Sequence, residues 1–479
     1  MRLIRYTTNK MGPIIQLLRD TTSVHWPDNR VFDVRRYGAK PDPGRDNAKF
    51  IQRAIDACGR AGGGTVLIPA PHTFMTGPLE LRSNMTLCVE SGATLLANPD
   101  ESVYTKSAFR DNKSEGTMWL HGEGIYGLVI TGGGHIDGNG IAFMGEELED
   151  CYELKPFDIK DPRPHVLTIV GSENIRIHDV HVGNSAYWTI HLAGCDDVDI
   201  SGVTILNSTK VRNSDGIDLD HCKNVRISDC VIESGDDCIC LKNRREYEEF
   251  GACENITVTG CTMTSSSCAI KIGSENMDAI RHVVFDDCDI RGSNRGVGIQ
   301  NRDEGTVSDI VFSNMTIESR LFSDVWWGKS EPIYVTAFRR ASAYHKDANW
   351  RFPAGATEGN VGEVRDITFS NIRCSGMNGI YVNAESPDKI SRITFDHVYL
   401  RILKAANYPG GFYDNRPWAG GGLTAAPSAG FYVSNVLDVT VRDSSVRWPR
   451  SMSATFSSPL ETHDVEDLKL FGFDTSPSQ

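Results

Sequence analysis

The chain reads as an all-β, single-domain parallel β-helix, and three observations predict it. Pairs of β-forming residues one position apart recur at Ile175/Ile177, Val198/Ile200, Val225/Ile227, Ile256/Val258, Val283/Phe285 and Ile310/Phe312. Their spacings are 23, 27, 31, 27 and 27 residues. A second strand follows in most repeats, as in Gly216-Ile-Asp-Leu219, Cys238-Ile-Cys-Leu241, Ala269-Ile-Lys-Ile272, Gly296-Val-Gly-Ile299 and Gly379-Ile-Tyr-Val382. Asn, Asp, Ser and Gly separate the strands, as turns require, and no helices intervene. Period-two alternation marks strands with one buried face. A repeat near 25 residues suits one coil of a solenoid better than a propeller blade of about 40–50 residues. The alternative is an irregular β-sandwich. The length of 479 residues agrees with a solenoid, which lengthens without thickening its core.

Taken in order, residues 1–30 form an N-terminal extension and residues 31–479 the β-helix. The stretch Asp46-Asn-Ala-Lys-Phe-Ile-Gln-Arg-Ala-Ile-Asp-Ala-Cys58 has apolar residues at helical spacing, and Gly62-Gly-Gly64 ends it. It predicts a helix that caps the open end of the solenoid. The repeat resumes at Ile367/Phe369, Ile393/Phe395 and Val439/Val441. Two stretches break it, near 320–360 and near 404–428. Loops that long are usually functional, and both are expected to wall a binding cleft.

Composition narrows the function. The net charge of −14, from 49 basic and 63 acidic side chains, argues against nucleic acid as a partner. No apolar run reaches the roughly 18 residues that span a bilayer, so no membrane partner is expected. The N-terminal apolar stretch, Ile14 to Leu18, is shorter than the about 7–15 residues of a secretory signal core, and the expectation is a cytoplasmic protein. Thirteen cysteines then read as mostly reduced, buried small hydrophobes. No Cys/His cluster suggests a metal, and no cofactor is expected.

The chemistry is concentrated in Asn213-Ser-Asp-Gly-Ile-Asp218 and Ser234-Gly-Asp-Asp-Cys-Ile239. In a β-helix, equivalent positions of successive coils lie about 4.8 Å apart. Aligning the second strands puts Asp215, Asp237, Cys268, Arg295 and Asn378 in one column. His191, Asp218, Cys240, Lys271, Gly298 and Tyr381 fall in the next outward column, and Asp220, Lys242, Gly273, Gln300 and Asn383 in the one after. Crowded carboxylates oppose each other's ionisation, so one tends to keep a proton near neutral pH. A proton donor beside an ionised carboxylate is what glycosidic cleavage needs. Asp215, Asp236 and Asp237 are therefore the candidate catalytic residues. Asp218 and Asp220 read equally as turn or ladder residues between coils.

These residues resemble glycoside hydrolase family 28, the polygalacturonase-like right-handed parallel β-helix enzymes. The N-terminal segments Val34-Arg-Arg-Tyr-Gly-Ala39, Ala54-Ile-Asp56, Gly62-Gly-Gly-Thr-Val66, Thr76-Gly-Pro-Leu79 and Glu90-Ser-Gly-Ala-Thr-Leu95 carry the likeness, together with Asn213-x-Asp215 placed 21 residues before Asp236. The resemblance runs from about residue 31 to 450. It implies an inverting hydrolase of α-linked uronic acid polymers without a cofactor, with Asp236 as general acid and Asp215 and Asp237 holding the water. Two motifs of the family are altered. Its Gly-His-Gly reads Ser267-Cys268-Ala269, and its Arg-Ile-Lys reads Gly298-Ile299-Gln300. In the family that Arg and Lys bind the substrate's carboxylate.

Lys271 and Arg302 are the candidates to replace the lost cations, unless Lys271 pairs with Asp218 or Glu275. Gln300, at the family's Lys position, and Glu275 are candidate subsite residues. Trp326 and Trp327 offer flat faces for a pyranose ring, and Glu331 a hydroxyl acceptor. The same platform role, or mere loop packing, is open to Tyr413-Asp-Asn-Arg416 and Trp418. The leading expectation is an inverting, exo-acting glycosidase of an α-linked oligosaccharide, pectin-related or another plant or microbial glycan. A uronate lyase or epimerase, and a non-catalytic carbohydrate-binding solenoid, are the alternatives.

Overall fold

A computed structural model describes residues 30–110, 115–149, 153–340, 359–404, 406–449 and 456–478. Apart from Arg30, the expected N-terminal extension lies outside them. Successive coils pair in parallel on three faces. One face carries Ile190–Ala193, Ile217–Asp220, Ile239–Asn243, Cys268–Asn276, Arg295–Asn301, Ile333–Ala337 and Ile380–Ala384, each paired to the next. On the second face Ile175 stacks on Val198, Val225, Ile256, Val283, Ile310, Ile367 and Ile393 in turn. His181–Gly183, Thr204–Leu206, Val231–Ser234 and Thr262–Ser265 continue the pattern on a third. The sequence repeat is thus one coil.

The corners explain the abundance of Asn and Asp. A left-handed residue stands immediately before each second-face strand core: Asn174, Asp197, Asn224, Asn255, His282, Asp309, Asp366 and Arg392 all have φ between 53° and 60°. Asn and Asp tolerate that region better than other side-chain-bearing residues. Asn255 also donates to the Asn224 side chain one coil away, at 3.1 Å, so the corner residues tie coils together.

Inside, identical positions stack. Phe285, Phe312, Phe369 and Phe395 lie ring on ring at 5.3, 5.0 and 5.1 Å. Each fully buried large apolar side chain contributes about 1.5–3 kcal/mol relative to exposure, so the stack is a continuous stabilising spine. The helix Ala48–Arg60 buries Ile51, Ala54, Ile55 and Cys58, one stripe of its surface, against the first coils. Gly63 follows it with φ 124°, where a Cβ would stand 2.2 Å from the Asn84 carbonyl oxygen. Twelve described cysteines are unpaired, and all but Cys88 are buried.

One expectation is corrected here. The stretch 320–360 is not loop throughout, because Ile333–Ala337 is a full strand between Arg295–Asn301 and Ile380–Ala384. Its strand is preceded by Glu331-Pro332 rather than a small residue, which hid it from the repeat. Residues 341–358 lie outside the described residues. The stretch 404–428 contains a short antiparallel hairpin, Phe412–Asp414 with Leu423–Ala425.

Candidate active site

The first-face register places the acids. Ile217 pairs with Ile239, so Asp215 and Asp237 stand one above the other in adjacent coils. The Gly216 amide donates to the Asp237 carbonyl at 2.8 Å, which locks that stacking. Asp236 comes from the turn before its strand. Gly235 allows that turn, because a Cβ there would lie 2.1 Å from the Val211 carbonyl oxygen. This close approach lets the Asn213 amide donate to Asp236 Oδ2 at 3.0 Å. Asn213 itself is left-handed, with φ 62°, and its side-chain oxygen accepts from buried Arg163 at 2.9 Å. One oxygen from each of Asp215, Asp236 and Asp237 lies within 4.8 Å of the others. They line a cleft of about 330 Å³.

The three environments differ. Asp215 is 3% exposed and its Oδ1 has no hydrogen-bond partner. Burial, then the charges of Asp218, Asp236 and Asp237, hold its carboxyl well above the usual carboxylate range. Asp236 is half-buried at the edge of the cleft. Burial and the Asp237 charge push it up to about 6, against the pull of Lys271 and the Asn213 amide. Asp237 instead accepts from Ser267 at 3.0 Å and pairs with Lys271 at 2.8 Å. The group can store a proton on Asp215 or Asp236 while Lys271 balances charge at Asp237. Three carboxylates at this spacing could also hold a divalent cation, although the Lys271 ammonium already serves one of them.

Asp218 and Asp220 have structural work. Both are fully buried, Asp218 pairing with Lys242 at 2.8 Å and Asp220 accepting the Arg244 amide at 2.8 Å. Lys242 in turn lies 3.8 Å from the Trp188 ring centroid. Lys271 does not pair with either partner expected for it, since Asp237, in the neighbouring coil, holds it. Glu275, Gln300, Trp326 and Trp327 line the cleft. Gln300 also donates to the Arg416 carbonyl.

Arg302 and Glu331 depart from expectation. Arg302 is wholly buried, its guanidinium spent on the Asn301 and Asn415 carbonyls, Thr336 Oγ1 and the Tyr334 hydroxyl. It sits behind the cleft wall and is no substitute for a lost cation. Glu331 is also fully buried. It occupies the Asp215–Asp237 column one coil beyond Arg295, whose Nε it meets at 3.3 Å, and accepts the Lys329 amide at 2.7 Å. It positions Arg295 rather than facing a sugar. Among the described residues, none from 404–428 lines the cleft. Tyr413 stacks on Tyr381 at 4.2 Å and Trp418 packs at a tilt against Phe338 at 4.7 Å, so that segment braces the wall from behind.

The altered motifs are neighbours in space. A Cβ on Gly298 would stand 2.8 Å from Cys268 Sγ. Cys268 is buried and its thiol donates to the Ile270 carbonyl at 3.0 Å. Burial and the Asp237 charge push that thiol up, so it cannot relay protons as an imidazole would. Arg295, beside Gly298, lays its guanidinium 3.6 Å over the Tyr334 ring.

The cleft also takes Tyr187, Trp188, Arg212, Lys242, Arg244 and Ser267, none of them among the predicted site residues. A signal existed for Trp188. Ile190 pairs with Ile217, so Trp188 stands in the same column as Asp215 and Asp237, one coil before Asp215.

The sequence has known relatives. It matches the profile described as Glycosyl hydrolases family 28 over residues 58–323, more than half of the chain. The chain belongs to glycosyl hydrolases family 28. It is a glycosidase, as membership and its relatives indicate. It is 29% identical over 307 residues to a protein of Vitis vinifera described as a probable polygalacturonase, covering 59% of this chain and 60% of that one. It is 26% identical over 369 residues to an endo-polygalacturonase of Pectobacterium carotovorum subsp. carotovorum, covering 73% and 83%. The family 28 exopolygalacturonase of Yersinia enterocolitica shares its fold with a TM-score of 0.70 at 18% identity, over 92% of this chain and 78% of that one. Family membership covers both departures, since residues 268 and 298 to 300 lie inside the matched segment.

Proposed function

We propose that the protein hydrolyses an α-linked, uronate-bearing oligosaccharide of the pectin type, from a chain end and with inversion. The observation that carries this reading is the meeting of Asp215, Asp236 and Asp237 in a cleft of a family 28 chain. Asp236, raised to about 6, protonates the leaving oxygen. Asp215 and Asp237, stacked in adjacent coils, hold the attacking water between them. Two oxygens up to 4.8 Å apart can both reach one water at about 2.8 Å.

The cleft volume, about 330 Å³, lies at the low end of the ~300–1,000 Å³ seen for ligand sites. Tyr187 and Trp188 line it from one set of coils and Trp326 and Trp327 from another. That suits a chain end better than the middle of a polymer. The relatives' names include both endo- and exo-acting polygalacturonases.

One observation favours a second reading. Inverting enzymes generally keep their carboxyl groups about 6.5–9.5 Å apart and retaining ones about 5–5.5 Å, and the spacing here is short. Two acids beside the proton donor still favour a held water, because a retaining enzyme needs only one nucleophile. Incubation with galacturonate oligomers, following the first-released anomer by NMR, tests the choice. Inverted product at the chain end is expected. Retained product would overturn the mechanism, and internal cleavage would overturn the chain-end action.

A further inference from the structure

Five cations line the cleft: Arg212, Lys242, Arg244, Lys271 and Arg295. Four are already matched to acids. Lys242 pairs with Asp218, Arg244 with Glu246 at 2.7 Å, Lys271 with Asp237, and Arg295 with Glu331. Arg212 differs. Among the described residues its guanidinium meets no acid within ion-pair distance, and its buried Nε makes no hydrogen bond. The charges of Asp236, Asp158 and Asp161 reach it only from beyond bonding distance, against burial and the Arg163 charge, and a partly buried cation without a direct partner costs free energy that an anionic ligand would recover.

Its position is firmly set. Buried Arg163 donates to the Arg212 carbonyl at 2.8 Å and to the Asn213 side chain at 2.9 Å. Asn213 in turn gives its amide to Asp236. Arg212 is therefore one residue removed from the group that touches the candidate acid, and the same clamp orients both. Lys271 and Arg302, the other candidates to read a uronate, are committed to Asp237 and to the cleft wall.

We propose that Arg212 binds the carboxylate of a uronate unit flanking the scissile bond, supplying the cation that Gly298 and Gln300 no longer provide. The guanidinium fork matches a planar carboxylate through two parallel N–H bonds, which a lysine cannot reproduce. This inference rests on the uronate reading above. It accounts for a chain that keeps its three acids while losing the residues that usually read the sugar's charge.

The test compares hydrolysis of galacturonate oligomers with that of the same oligomers methyl-esterified, by wild type, Arg212→Gln and Arg212→Lys. Arg212→Gln should lower the preference for the acid oligomer at least about tenfold, the factor carried by one charge-assisted bond, and through KM rather than kcat. Arg212→Lys should restore part of it. Added salt should raise the wild-type KM for the acid oligomer and leave that of Arg212→Gln much less affected. An unchanged preference, or equal losses on both substrates by a variant with wild-type melting behaviour, would overturn the assignment. Wild type inactive on every uronate oligomer would instead overturn the functional reading, and the role of Arg212 with it.

Discussion

Replacing Asp236 with Asn separates its catalytic role from its cost to stability. Unfolded, the carboxyl titrates near 3.8, and in the folded chain near 6. Because the folded value is the higher, the folded state keeps a proton that the unfolded state releases between these two pH values. Stability therefore falls as pH rises through that window, by about 1.4 kcal/mol per unit. The full difference corresponds to ~3 kcal/mol at pH 7, as an upper bound. Asp236 keeps some contact with solvent, and Asp215 can carry part of the same proton. Asn does not titrate and can still accept the Asn213 amide. Asp236→Asn should therefore melt a few degrees above wild type at pH 7, with the difference closing near pH 4, while losing hydrolysis at both. Thermal melts across pH 4–8 and product assays on the same preparations are the measurements. Equal melting curves at pH 7 would refute the raised carboxyl, and retained hydrolysis would refute the acid role. Wild-type activity should fall as pH rises past about 6, as the donor loses its proton.

Two further substitutions probe the support of the site. Lys271→Met leaves Asp237 buried without its cation, and losing one partner of such a pair costs about 3–5 kcal/mol. Urea unfolding should show that loss, together with a lower kcat and little change in KM; a large rise in KM alone would make Lys271 a substrate ligand instead. Glu331→Gln keeps shape but strands Arg295, and a similar loss is expected in unfolding. Stability equal to wild type would mean that the Asp414 carbonyl and the Tyr334 ring suffice to hold Arg295.

The fold was legible because a β-helix writes its geometry into the chain. Each coil repeats the same apolar pair, and each corner needs a left-handed residue, so the period and the Asn and Asp positions both appear in the sequence. The strand Ile333–Ala337 escaped because Pro332 replaced the small residue that marked the others and a long insertion follows it. Asp215 and Asp237 were legible as a column for the same reason, because pairing register is a sequence property here. Partner choice was not. Lys271 could reach Asp218, Glu275 or Asp237, and only side-chain direction decides. Arg302 lies two residues from Gln300 on the same strand direction, yet the chain bends there and the guanidinium turns toward Tyr334 and Asn415. Arg212 carried no period or motif of its own. Its meaning depends on which acids come within ion-pair distance of it, which only three-dimensional packing can show.

The two altered motifs are best understood as one change. In the first-face register Cys268 pairs with Arg295, and Lys271 pairs with Gly298, so the positions where the family carries His and Arg adjoin each other across two coils. With Cys268 in place, a side chain at 298 would start 2.8 Å from its sulfur, and overpacking of that kind costs about 1–3 kcal/mol. Glycine at 298 removes the conflict and leaves the space beside Tyr334 that Arg295 occupies. Arg295 then needs a counter-charge, and Glu331 supplies it from the next coil. A side chain restored at 298 alone therefore crowds Cys268. Positive charge has not left this part of the cleft, but it has become internal to the wall. On the reading proposed above, a substrate carboxylate is met instead by Arg212, whose buried Nε makes no hydrogen bond.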